Sequence, residues 1–140
     1  MRRGFTLMEA AIVTVIIGVG VVALMQLITA GTMATAASKE LTTAVQLGNN
    51  INEMMQGASF STLKSTYDEV TYNPPKDALG NNLTQFSGWT QQIDVSYVDH
   101  NYVALVVPDT QTTEPMCRVT VIVTHNSKPI YTQKWLVAAP

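Results

Sequence analysis

Between Glu9 and Lys39 the chain runs for 29 residues without one charged side chain. The centre of that stretch, AAIVTVIIGVGVVALMQLITAG from Ala10 to Gly31, is apolar around its whole circumference. A bilayer's hydrocarbon core is ~30 Å thick, and a helix needs ~20 apolar residues to cross it. A helix buried in a water-soluble domain is normally amphipathic. This one has no polar face, so a membrane span is the expectation. Gly18, Gly20 and Gly31 would weaken such a helix in water but are tolerated in lipid. Their spacing holds no GxxxG pair. Arg2 and Arg3 precede the span, which favours a cytoplasmic amino terminus with the rest of the chain outside.

The remaining composition excludes more than it suggests. Charged residues make up only 13% of the 140 and hydrophobic residues 46%, so the chain has enough to bury and is not a disordered polymer. The formal charge of −2 and the scattered Lys64, Lys76, Lys128 and Lys134 argue against nucleic acid as a partner. One cysteine, Cys117, excludes an internal disulfide, and with only two histidines, His100 and His125, no metal centre or nucleophile–base pair is legible. The segment Asp109–Glu114 offers two acids without calcium-loop spacing. The sequon Asn82-Leu83-Thr84 is a three-residue match and carries little. No cofactor and no enzymatic activity are expected.

Glu9 is the informative oddity, a carboxylate at the mouth of the apolar run. An ionised acid within hydrocarbon costs at least ~2.5 kcal/mol, so such residues usually have a partner and a role. Sitting at the headgroup boundary would reduce that cost. The residues around it are specific. After the leader Met1-Arg2-Arg3, Gly4-Phe5-Thr6-Leu7-Met8-Glu9 resembles the amino-terminal signature of the type IV pilin family, which includes the pseudopilins of type II secretion systems. The match covers about Arg3 to Gly31; Met8 stands where Ile or Leu is usual.

The resemblance implies cleavage by a prepilin peptidase between Gly4 and Phe5 and methylation of the new amine on Phe5. It further implies assembly of the mature helix with other pilin or pseudopilin subunits on an inner-membrane platform. Glu9 would pair with the terminal amine of a neighbour's Phe5. Physically the pair is sensible, because each charge is costly alone in a low-dielectric bundle and less so with its partner. Such a pair penalises wrong axial register. The implied location is a single pass in the inner membrane, with the head in the periplasm or outside the cell. Within the family, the unpaired Cys117 and the lack of a proline before Pro74 fit a minor pseudopilin better than a major adhesive pilin; a minor type IV pilin for adhesion, motility or DNA uptake is the alternative.

Two other readings of the amino terminus compete. Ala34-Thr35-Ala36 before Ala37 has the form of a signal-peptidase site, although the apolar run is longer than a signal peptide needs and Glu9 is misplaced for one. An uncut single-span anchor carrying a binding module is the other.

Beyond Gly31 the pattern changes. Ala44, Leu47, Ile51, Met54 and Ala58 recur at steps of three and four, the period of one helix face. The expectation is a continuous helix from about Phe5 to about residue 58, some ~80 Å long at 1.5 Å per residue, with its second half packed on a head domain. Met54 and Met55 read as core. A short helical turn is expected over Ser61–Tyr67, then a loop from Tyr72 to Asn82. Period-two alternation follows. Four strands are expected at about Thr90–Val98, Tyr102–Val107, Met116–His125 and Ile130–Ala138, with a turn at Asn126–Pro129. The predicted fold is α+β and pilin-like: leader 1–4, long helix 5–58, and a head over 59–140 with a small antiparallel sheet.

Overall fold

A computed structural model describes residues 6–99, 101–108 and 116–139. The chain divides into two compact units at Lys39–Glu40. The element order is α1 (Leu7–Met55), α2 (Phe60–Tyr67), β1 (Val70–Tyr72), β2 (Trp89–Tyr97), β3 (Met116–His125) and β4 (Lys128–Ala138). The class is α+β, with a long apolar amino-terminal helix and one antiparallel sheet.

Helix α1 contains a stretch long and apolar enough to cross a membrane, with a mean hydropathy of 2.6 and none of that stretch buried within the chain. Ile16, Leu24 and Leu27 are each more than half exposed, at 65%, 61% and 70%. Side chains of this kind lose ~1.5–3 kcal/mol each by facing water instead of an apolar phase, so the segment calls for lipid or other helices.

In the second unit the four strands pair in sequence order, β1-β2-β3-β4, all antiparallel. Alternation along β3 puts Cys117, Val119, Val121 and Val123 on one face, all buried. The buried face of β2 is Trp89, Gln91, Ile93 and Val95, of which the last three pair with Val123, Val121 and Val119. This face joins Ala44, Leu47, Ile51 and Met55 of α1 and Leu63 of α2 in one core. Met54 and Ala58 pack half-buried at its margin. Helix and sheet approach closely at Gly48, where a Cβ would lie 3.1 Å from the Tyr131 ring and from Gln133 Oε1.

One buried position in the core is polar. Gln91 is fully buried, donates from Nε2 to the carbonyls of Leu47 (2.8 Å) and Lys76 (3.1 Å), and accepts at Oε1 from the Lys76 amide (2.7 Å). It therefore ties α1, the loop before β2 and the sheet through a single amide.

The expected strand over Tyr102–Val107 does not form. Asp99 Oδ1 accepts from the backbone amides of Asn101 (2.7 Å) and Tyr102 (3.2 Å), which bends the chain there. A further turn closes from Leu105 to Tyr102, and a lone bridge joins Val98 to Val106. Tyr102, Val103, Leu105 and Val106 stay exposed and only Val107 is buried. The fourth strand of the sheet is instead β1, three residues within and just before the expected loop, pairing Val70 with Ile93 and Tyr72 with Gln91.

The hairpin between β3 and β4 is tighter than expected. His125 pairs with Lys128, leaving Asn126 and Ser127 as a two-residue turn with φ of 49° and 66°. Two positive values mark the type I′ geometry that matches strand twist and favours Asn-Gly. Pro129 is accommodated because β4 is an edge strand. Two outcomes follow. Ser127→Gly relieves a left-handed residue and should raise stability by about 0.5–1 kcal/mol. Gln91→Leu strands the Lys76 amide and should lower it by about 2–3 kcal/mol. Urea unfolding of the detergent-solubilised chain, followed by tryptophan fluorescence, measures both.

Candidate functional site

The sequence singles out Gly4, Phe5 and Glu9. Gly4 and Phe5 lie outside the described residues, as do His100 and the Asp109–Glu114 segment. Glu9 stands in the first turn of α1 with its side chain exposed.

The start of α1 is built locally. Thr6 precedes the helix, its carbonyl accepts from the Ala10 amide at 3.1 Å, and its Oγ1 accepts from the Glu9 amide at 3.3 Å. That makes Thr6 the cap residue and Glu9 the third helical residue, the spacing of a capping box. Thr6 is the residue that reasoning from the apolar span passed over; the T-x-x-E spacing was its signal. A carboxylate here also faces the positive end of the helix dipole. Glu9 thus has a local reason to occupy this position.

At the sheet edge, Lys64 and Asp68 are engaged in structure. Lys64 Nζ donates to Asp68 Oδ2 (2.7 Å) and to the Val95 carbonyl (2.8 Å), while the Val95 amide donates to Asp68 Oδ1 (2.9 Å). Beyond the last residue of β2 that β1 reaches, these two side chains satisfy the edge that a longer strand would have covered. Partial burial pushes the Asp68 carboxyl up, but the bonds from Lys64 and Val95 and the Lys64 charge outweigh it and leave it below the ordinary carboxylate value.

His125, at the end of β3, is partly buried and engaged in the fold. Its Nδ1 lies 2.6 Å from Glu40 Oε1, and its ring stacks on Trp89 at a centroid distance of 4.4 Å and an interplanar angle of 9°. This contact holds α1 to the end of the sheet near the β3–β4 turn. Cys117 is buried, and burial raises its thiol above the ordinary value despite the opposing charge of Lys64. It behaves as a small apolar side chain rather than a nucleophile. Asp77 organises the loop before β2, accepting from the Leu79 and Asn81 amides and the Asn81 side chain. No group of three or more metal-ligating side chains occurs among the described residues.

No family model, curated protein or solved structure matches this chain.

The Asp68 arrangement has a pH signature. Its folded carboxyl is more acidic than the unfolded one, so its stabilisation is complete at neutral pH. It begins to fade near the unfolded pKa of about 3.9 and is gone below the folded value. Asp68→Asn should therefore cost about 1 kcal/mol at pH 7, the low end for bonds to a charged group because water screens it. The difference from wild type should shrink toward zero as pH falls below 4. Urea titrations of both chains across that range read it directly.

Proposed function

We propose that the chain is a pilin-like structural subunit, a minor pseudopilin of a type II secretion apparatus, cut after Gly4 and assembled through α1. The observation that carries this reading is positional. One acid, Glu9, stands four residues beyond Phe5 at the opening of a helix that is otherwise uncharged as far as Lys39. The α+β architecture supports it: an apolar helix whose later turns pack on a small antiparallel sheet suits a subunit anchored by its apolar segment. Prepilin peptidase, an inner-membrane assembly platform and neighbouring subunits are the partners this function requires, and membrane lipid holds the subunit before assembly.

The chemistry of joining follows from the charges. Cleavage at Gly4 frees an ammonium on Phe5, and N-methylation keeps it cationic. An incoming subunit whose Glu9 meets a neighbour's ammonium neutralises both charges in a low-dielectric bundle; one out of register leaves both unpaired. Glu9 then contributes position more than bulk stability.

Intact mass and amino-terminal sequencing of the membrane-extracted protein should give a product beginning at methylated Phe5; a product beginning at Met1 or Ala37 overturns the reading. A second test separates pairing from capping. Gln serves as well as Glu in a capping box but carries no charge. Glu9→Gln should insert in the membrane at wild-type level and be incorporated into assembled fibres at least about ten-fold less, the effect of an interaction of about 1.4 kcal/mol or more. Normal incorporation of Glu9→Gln reduces Glu9 to a helix cap.

A further inference from the structure

Gln26 is the one amide in the apolar run, and the apolar phase offers it nothing. At 1.5 Å per residue it sits about 8 Å from the middle of the stretch Ala10–Gly31, inside a hydrocarbon half-thickness of ~15 Å. The other two polar side chains of that stretch are closed within the helix. Thr14 donates to the Ala10 carbonyl at 2.8 Å and Thr29 to the Met25 carbonyl at 2.9 Å. A glutamine amide has two donors and an acceptor oxygen to satisfy, and Gln26 has no hydrogen-bond partner among the described residues.

Its surroundings have the form of a seat for another helix. Val22, Met25, Gln26, Thr29, Ala30 and Met33 line a shallow groove along α1. They recur at steps of three and four, the seam of a helix–helix contact. Short side chains at Thr29 and Ala30 let a neighbouring backbone approach, and the flexible methionines fill the flanks.

We infer that two copies of this chain pair in parallel in the membrane through this face, with the two Gln26 amides exchanging hydrogen bonds. A second copy is the occupant that the chemistry selects. Identical chains insert with the same topology, so each Gln26 lies at the same depth. Across a two-fold axis a residue meets its own equivalent, and an amide, both donor and acceptor, complements itself where an acid or a lysine would not. The pairing rests on the membrane reading of α1 given above. It describes a resting pair in the bilayer, before the staggered contacts of a filament, and requires neither cleavage nor methylation.

The test uses the full chain in phosphatidylcholine–phosphatidylglycerol vesicles, without processing enzymes. In a Cys117→Ala background, single cysteines at Val22 or Met33 should cross-link on oxidation, and cysteines at Leu24 or Ile28, on the opposite side of the helix, should not. Energy transfer between labelled copies should show Gln26→Leu associating about three- to twenty-fold more weakly, the range measured for hydrogen bonds between membrane helices. Gln26→Asn, which keeps the amide, should recover most of the loss. Leucine favours both helix and membrane, so Gln26→Leu does not fail by misfolding. Undiminished association of Gln26→Leu, or cross-linking at Leu24 equal to that at Val22, overturns the pairing. A mature terminus other than Phe5 would overturn the proposed function and leave these vesicle results unchanged.

Discussion

The first half of α1 exposes apolar side chains that none of the described residues covers, and that unmet burial governs the rest of the molecule. Water cannot be the permanent surroundings of such a segment, because every turn presents aliphatic carbon to it. Lipid can accept it, and so can other helices. The two are not exclusive, since a segment held first in lipid can later move against its own kind. Three polar features then acquire meaning from their rarity in that stretch: the acid at its mouth, the amide within it, and the threonines that close on their own carbonyls and so add nothing for a partner to read.

In the second unit the same helix obeys different rules. From Ala44 onward one face only is apolar, because one face only is covered by the sheet. The valines of β3 supply the bulk of that cover, but apolar contacts alone would allow a helix to slide along a surface of similar side chains. Gln91 restricts sliding, since its amide bonds both the Leu47 carbonyl and the backbone at Lys76. The Glu40–His125 contact adds a second fixed point toward the other end of the face. Lys64 and Asp68 do similar work at the sheet edge, where side-chain bonds to Val95 stand in for a strand that stops early.

Legibility in the sequence followed the length of each pattern. The apolar run, the helix face at Ala44, Leu47 and Ile51, and the alternation over Met116–His125 were all readable, because burial imposes a period and each pattern persists long enough to show it. β1 was not readable, for three residues cannot display alternation and its pairing is specified by β2. Tyr102–Val107 misled for the opposite reason: its composition is that of a strand, yet Asp99 captures two amides at its start and redirects the chain. Composition records what a segment could bury; a single well-placed carboxylate decides whether it does. Gln91 and the engagement of His125 were invisible because their partners lie 15 to 85 residues away in the chain.

At the amino terminus, capping and pairing need not compete for Glu9. The Glu9 amide donates to Thr6 Oγ1, so the backbone that carries the carboxylate is fixed by its own helix before any neighbour arrives. In the proposed assembly Thr6 would act without touching a neighbour: by fixing the first turn, it sets where Glu9 stands along the helix axis. Cap and acid, Thr6 and Glu9, share the first turn of α1, the segment through which the proposed joining would run.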